Sequence, residues 1–272
     1  MLINTVVLVL RDMLPLFILL VWLAAYINPI FITLNKLLPS TLISAGVIFL
    51  FHFFAPYLSE LFEGAGIEFI RVFCIVILFS TLLVGSVLSL RRARGSCLVT
   101  MCFYFGVCLL FITQGANFFI YFNSYLSRSE NELSVYIGVI LALGFGLSFS
   151  LLFYFILRWL NERHYAKTLD LLWAAFLASL LTQIVPTLTQ VDVISDTKPL
   201  WNSTWLIADS SEYGHVFKAL IGYEATPSLS YLLAYVVGLI LFYIGMTSHR
   251  EYFKTRTIHQ TSSINDQGEQ YE

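Results

Sequence analysis

Seven long apolar segments, separated by shorter polar stretches, dominate the pattern of hydrophobic and polar positions along the chain. Each segment is long enough to cross the roughly 30 Å hydrocarbon core of a bilayer as a helix. The segments cover residues 2–27, 38–58, 66–90, 98–125, 134–158, 168–187 and 228–248. The pattern therefore predicts an all-α polytopic membrane protein with seven transmembrane helices, in one domain over residues 1–248.

The composition agrees with this prediction. Of the 272 residues, 58% are hydrophobic and 12% are charged, whereas a soluble chain is about 25% charged. The last residues, 249–272, are polar and are expected to form a disordered tail. A long polar interruption also covers residues 188–227, and its Trp and Tyr residues predict that part of this loop lies on the membrane surface.

The distribution of Lys and Arg predicts the orientation, because cytoplasmic loops carry an excess of positive charge. With the N-terminus outside, ten of these residues lie on the inner side: Lys36, Arg91, Arg92, Arg94, Arg158, Arg163, Lys167, Arg250, Lys254 and Arg256. Only three lie in outer loops: Arg128, Lys198 and Lys218. We therefore expect the N-terminus outside and the C-terminus inside, with 188–227 as an outer loop and 249–272 in the cytoplasm.

Two adjacent charges, Arg11 and Asp12, interrupt the first apolar segment at its middle. A charged residue at membrane depth costs at least about 2.5 kcal/mol on insertion scales, so it is retained mostly where it faces a partner or a water-filled path. Pro15 follows four residues after Arg11 and removes one helical hydrogen bond. Two interpretations remain open: a substrate path, or a buried ion pair that fixes helix packing.

The fourth segment has polar residues at a similar depth, namely Thr113, Gln114 and Asn117. Gln114 and Asn117 are three residues apart and therefore share one face of a helix. In the expected topology the first and fourth helices run in opposite directions. Opposed helices with polar midpoints are typical of inverted-repeat transporters, which predicts helices 1–3 and 4–6 as two repeats plus one extra helix. A structural hydrogen bond between helices is the alternative for both amides.

The two polar motifs resemble those of a known family. Arg11-Asp-Met-Leu-Pro15 and Thr113-Gln-Gly-Ala-Asn117 occupy the places of the two Arg-Glu-x-x-Glu motifs of the high-affinity iron permeases. Glu60-Leu-Phe-Glu-Gly64 is similar to the acidic segment before the third helix of that family. Leu200-Trp-Asn and the segment from Ala219 to Ser228 resemble the approach to its last helix. The resemblance implies an iron-permease-like fold over residues 5 to 246.

The motifs of this chain depart from the family pattern in their charged residues. Asp12 is a shortened Glu, Pro15 and Asn117 replace the second Glu of each motif, Gln114 replaces the remaining Glu, and Thr113 replaces an Arg. One carboxylate of four remains. Because iron ions favour hard anionic oxygen ligands, a site built from Asp12 and two amides should bind Fe³⁺ weakly.

The acidic pair Glu60 and Glu63 completes the expected substrate path, which otherwise consists of Arg11, Asp12, Thr113, Gln114 and Asn117. Glu60 and Glu63 are expected at an outer mouth, where they would collect cations, and with Asp12 they are the expected metal ligands. A solvated acidic loop is the alternative for this pair.

The sequence thus favours a transporter that moves a cation, with iron as the cargo and no resident cofactor, across the bacterial inner membrane. The expected partners are the lipid bilayer, an extracytoplasmic oxidase or iron-binding protein, and further copies of the chain in a homo-oligomer. The alternative is a divergent paralogue that conducts nothing and acts as a membrane scaffold or subunit. An enzyme is not expected, because no nucleophile–base pair or metal-ligand array is apparent. Nucleic-acid binding is not expected either, since the short basic clusters are explained by orientation.

Overall fold

The computed structural model describes residues 2–27, 34–89, 97–128, 132–195, 197–209 and 211–247. It is 85% helical, and its described residues contain no strand. The predicted tail 249–272 and the basic residues Arg91, Arg92 and Arg94 lie outside the described residues. An all-helical fold is what the bilayer requires of this sequence, because a helix satisfies its backbone hydrogen bonds within the segment.

The helices follow the predicted segments closely. In chain order the α-helices of the described residues are α1 (Leu2–Trp22), α2 (Leu34–Ser59), α3 (Gly66–Ser89), α4 (Cys97–Arg128), α5 (Glu132–Glu162), α6 (Ala166–Thr182), α7 (Ile184–Gln190), α8 (Glu212–Ile221) and α9 (Leu229–Thr247). A π-helical turn, Leu23–Ile27, continues α1, and a 3-10 turn, Leu61–Gly64, links α2 to α3.

Six apolar stretches of the described residues are long enough to cross a membrane. They are Thr5–Ala25, Gly66–Ser89, Cys97–Ile120, Leu133–Glu162, Lys167–Gln190 and Leu229–Thr247. The segment predicted at 38–58 is helical as part of α2, but its apolar stretch, Pro39–Ala55, is shorter than these six. The chain is therefore a multi-pass membrane protein with six candidate spanning helices.

The loop predicted over residues 188–227 contains a helix that the hydropathy pattern did not indicate. The helix α8 begins after Ser211, whose side-chain oxygen accepts a hydrogen bond from the Gly214 backbone N–H at 3.0 Å. It ends at Gly222, which adopts the left-handed conformation with φ of 71°. Because α8 packs against α1 and α6, part of this loop lies against the helix bundle.

Small residues lie in the most extensive contact between the described helices, that of α1 with α5. Gly138, Ala142, Gly146 and Ser150 recur every four residues on α5, and the first three of them are buried. A Cβ atom at Gly146 would come within 2.4 Å of the Phe17 ring of α1. Glycine is therefore required at this position for α1 and α5 to approach as closely as they do. This contact holds the helix that carries Arg11 and Asp12.

Candidate functional site

Polar side chains from four helices meet inside the otherwise apolar bundle. They are Arg11 and Asp12 of α1, Arg71 of α3, Asn117 of α4 and His215 of α8, and together we name them the interior cluster. Arg11 and Asp12 lie near the middle of α1, Arg71 lies in the first third of α3, and Asn117 lies in the second half of α4. Because antiparallel helices alternate in direction, these positions can occur at similar depth in the bundle.

Arg11 and Asp12 form an ion pair. The Arg11 Nε donates a hydrogen bond to Asp12 Oδ1 at 2.9 Å. The side chain of Asp12 is 6% exposed and that of Arg11 is 45% exposed, so the carboxylate lies inside the bundle and the guanidinium near its edge. The second carboxylate oxygen, Asp12 Oδ2, is buried and has no hydrogen-bond partner in the described part of the chain. A buried acceptor left in this state costs about 1–3 kcal/mol, which makes Oδ2 a natural contact for a ligand.

Arg71 connects α3 with α4. With the Asn117 amide oriented so that its oxygen faces the guanidinium, this oxygen accepts hydrogen bonds from Arg71 Nη2 at 2.8 Å and Nη1 at 3.2 Å. That orientation follows from the donor and acceptor pattern of the two groups. The positive charge of Arg71 also attracts the Asp12 carboxylate. Arg71 therefore forms hydrogen bonds with one residue of the predicted path, Asn117, and attracts another, Asp12.

His215 reaches the cluster from α8. Its imidazole interacts electrostatically with both Arg11 and Asp12. Burial lowers the pKa of His215 below 6.5, and the positive charges of Arg11 and Lys218 lower it further, against the opposing effect of Asp209. The imidazole is therefore held in its neutral form near neutral pH, in which one ring nitrogen donates and the other accepts a hydrogen bond.

The other predicted residues of α4 have different partners. Gln114 is buried, and its Nε2 donates a hydrogen bond to Gln183 Oε1 at 3.1 Å, at the junction of α6 and α7. This bond does not use the carbonyl oxygen of Gln114. The Thr113 hydroxyl donates to the backbone carbonyl oxygens of Leu109 and Leu110 within α4, at 3.0 and 3.1 Å. Thr113 therefore contributes its hydroxyl hydrogen to its own helix.

The acidic pair expected at an outer mouth is described only in part. Glu60 is exposed in the turn between α2 and the 3-10 turn Leu61–Gly64, and the side chain of Glu63 lies outside the described residues. In the part of the chain that the structure describes, no three His, Cys, Asp or Glu side chains come together as a metal site. Of the three expected metal ligands, Asp12 is the one found in the interior cluster.

An aromatic zone fills the bundle beyond the interior cluster. The buried rings of Trp22, Phe153, Trp173 and Phe176 lie against one another, with ring centroids of Trp22 and Trp173 5.3 Å apart. The Trp173 Nε1–H donates to Ser86 Oγ at 2.8 Å, which satisfies the buried indole. The bundle is therefore polar near the middle of α1 and densely packed near the C-terminal end of that helix.

The sequence favoured a local pair of Arg71 with Glu68, three residues apart at the start of α3, over a relay, and it gave no role to Gln183 or His215. Arg71 carried a usable signal, because an arginine within an apolar segment is as costly as Arg11 and needs a partner for the same reason. The sequence did not distinguish Gln183 or His215 in this way. Gln183 lies near the end of an apolar segment and His215 lies in a polar loop, and polar residues are common at both places.

The arrangement can bind a small charged or polar solute. One carboxylate, two guanidinium groups, one amide and an imidazole supply both donors and acceptors within a low-dielectric interior, where hydrogen bonds to charged groups are strong. With two guanidinium groups and one carboxylate, the interior cluster carries more positive than negative charge, whereas a carboxylate-rich metal site is negative. Comparison with family models, with curated proteins and with solved structures finds no match for this chain.

Proposed function

We propose that this chain is a membrane transporter and that the interior cluster binds the solute during its passage. The observation that carries the proposal is the Asp12 carboxylate, which is buried among apolar helices and whose Oδ2 has no hydrogen-bond partner among the described residues. Charged groups inside membrane helices are costly and are retained mainly along substrate or ion pathways. Arg71 on α3 attracts the same carboxylate, and His215 on α8 interacts with it electrostatically.

The proposed topology has seven spans, namely the six candidate spanning helices and α2. The N-terminus lies outside and the C-terminus inside. The excess of Lys and Arg in the inner loops supports this orientation. We further propose that helices 1–3 and 4–6 are inverted repeats. The contact between α1 and α4, each with polar residues near its middle, supports this pairing.

Iron is the proposed cargo, on the strength of the resemblance to the high-affinity iron permeases. Asp12 Oδ2 and the Gln114 carbonyl oxygen are the hard oxygen donors that a cation would use. Asn117 is less suited to this role than the sequence suggested, because its oxygen accepts from Arg71. We propose the bacterial inner membrane as the location, an extracytoplasmic oxidase or iron-binding protein as the donor of the ion, and a homo-oligomer as a further assembly.

Uptake by proteoliposomes tests the proposal. The purified chain is reconstituted, and uptake of radioactive iron is compared between the unchanged protein and Asp12→Asn, which keeps the side-chain shape and removes the charge. The matched control is Asp192→Asn, since Asp192 is exposed in the loop after α7. We expect Asp12→Asn to lose most of the uptake and Asp192→Asn to keep it. Uptake that is equal in all three proteins would show that the solute does not pass the interior cluster.

The second candidate is a scaffold or subunit that conducts nothing. It is favoured by the ion pair of Arg11 with Asp12 and by the bonds of Asn117 with Arg71, because such contacts also fix helix packing. Purification from native membranes under mild detergent discriminates the two candidates. A stoichiometric protein partner together with absent uptake supports the scaffold, whereas iron uptake by the isolated chain excludes it.

A further inference from the structure

A cavity of about 480 Å³ lies between α7 and the start of α9. The wall contributed by α7 includes Val185, Pro186, Thr189 and Gln190, and the opposite wall includes Glu224 and Tyr231. We name it the loop cavity, because residues of the segment 197–228 form part of its wall. Its volume is within the range of sites that hold small organic molecules, and it is much larger than a single water molecule requires. The residues of the interior cluster do not line it.

The lining of the loop cavity is rich in hydrogen-bonding side chains. Five hydroxyl residues, one amide and one carboxylate line it: Thr189, Thr197, Thr226, Ser228, Tyr231, Gln190 and Glu224. The hydroxyls of Thr189 and Tyr231 donate to the backbone carbonyls of Val185 and Gly222, so towards a ligand these two can act as acceptors. Apolar surface from Val185, Pro186 and Pro199 completes the walls. Hydroxyl and amide groups both donate and accept hydrogen bonds, so they complement a ligand that does the same. Polyhydroxylated molecules have hydroxyl groups that both donate and accept hydrogen bonds, and their C–H faces can also contact the apolar wall.

The carboxylate of Glu224 determines which charge a ligand of the loop cavity can carry. Lys218 Nζ lies 3.5 Å from Glu224 Oε1 and is not a lining residue, so it compensates the carboxylate from behind the wall. Glu224 Oε2 is buried and has no hydrogen-bond partner within the described ranges. An anionic ligand would face the carboxylate, and a cationic ligand would compete with Lys218. A neutral O–H donor needs only the lone pairs of Oε2.

We propose that the loop cavity is a binding site for a small neutral polyhydroxylated solute, such as a monosaccharide or cyclic polyol. Glu224 accepts a hydroxyl hydrogen through its carboxylate, and the surrounding Thr and Ser hydroxyls and the Gln190 amide complete the hydrogen bonds. The site is separate from the interior cluster. Its existence does not depend on whether the chain transports iron.

Saturation-transfer NMR with the full chain in detergent micelles tests the proposal. The probes are D-glucose and myo-inositol as neutral polyols, glucosamine as a cationic analogue, and cyclohexanol as a ring with one hydroxyl. We expect saturable binding of at least one neutral polyol, weaker binding of glucosamine than of glucose, and none of cyclohexanol. Binding of cyclohexanol equal to that of the polyols, stronger binding of glucosamine than of glucose, or no saturable polyol binding overturns the proposal.

Substitutions locate the binding within the chain. Glu224→Gln replaces one accepting oxygen by an N–H donor, and Thr226→Val removes one hydroxyl without a change of shape. We expect about tenfold weaker polyol binding in each, because loss of one such hydrogen bond corresponds to that factor. The matched controls are Asp192→Asn and Thr204→Val, both exposed and outside the cavity lining. If Glu224→Gln does not fold, Thr226→Val alone decides, and unchanged binding in it overturns the assignment.

Discussion

The Arg71 guanidinium donates two hydrogen bonds, of 2.8 and 3.2 Å, to the side-chain oxygen of Asn117. This contact joins the beginning of α3 to the second half of α4 inside the apolar bundle. It also brings a second positive charge to the Asp12 carboxylate on α1. A single arginine on α3 thereby forms hydrogen bonds with α4 and attracts the carboxylate on α1.

Removal of the Asn117 amide should destabilise the protein. In Asn117→Ala, Arg71 loses both contacts with that oxygen, and hydrogen bonds to charged groups contribute about 1.5–3 kcal/mol. We expect a lower thermal unfolding midpoint for the detergent-solubilised variant. Asn161→Ala is the control, since Asn161 is exposed near the end of α5. Equal midpoints for the two variants would mean that the Arg71–Asn117 contact contributes little to stability.

The hydroxyl of Ser86 should contribute more to stability than that of Ser80 on the same helix. Ser86 Oγ accepts from the buried Trp173 indole at 2.8 Å, whereas the Ser80 hydroxyl is exposed and donates to the Val76 carbonyl. Ser86→Ala leaves the indole without this acceptor, which costs about 1–3 kcal/mol. Ser80→Ala should change stability by less than about 0.5 kcal/mol. Thermal unfolding followed by tryptophan fluorescence measures both, and a neutral Ser86→Ala variant would contradict the expectation.

Two glycines of α5 should respond in opposite ways to substitution by alanine. A Cβ at Gly146 would come within 2.4 Å of the Phe17 ring, whereas a Cβ at Gly144 would meet no atom within 4 Å. We expect Gly146→Ala to destabilise the contact between α1 and α5 by about 1–3 kcal/mol, since the ring must shift. Gly144→Ala should be neutral or stabilising by up to about 1 kcal/mol through helix propensity. Unfolding midpoints that fall equally in both variants would argue against the observed rotation of α5.

The stability of the protein should decrease on acidification through the titration of His215. The pKa of this imidazole lies below 6.5 because of burial and the charges of Arg11 and Lys218. Between that lowered value and 6.5, the unfolded state binds more protons than the folded state, so stability falls as the pH falls. We expect His215→Gln to show a smaller decrease in unfolding midpoint than the unchanged protein when the pH is lowered below 6.5.

A second histidine provides the control for this pH effect. His164 is exposed in the turn after α5 and has a φ of 61°, a conformation that asparagine tolerates. The variant His164→Asn should therefore retain the acid-induced decrease in unfolding midpoint. An identical pH profile for His215→Gln and the unchanged protein would assign the decrease to other groups.

The hydrophobic pattern predicted most of the helices, and it did so for a local physical reason. An apolar segment of this length is stable in a bilayer only as a helix, so its position can be inferred without knowledge of its neighbours. The same argument identified Arg11 and Asp12, because a charge within such a segment is conspicuous wherever the helix packs. It did not reveal α8, a helix of ten residues in a polar loop that depends on its contacts with α1 and α6.

The tertiary structure alone decided which polar residues meet. Gln114 pairs with Gln183 across 69 residues, and Trp173 pairs with Ser86 across 87. Neither partner is implied by the spacing within a segment, since the pairing depends on how each helix is rotated about its axis. In a bilayer that rotation is determined by close packing of small residues and by interhelical hydrogen bonds, both of which are properties of assembled helices. The local sequence pattern therefore determines where the helices form, whereas the interior cluster forms only when those helices pack together.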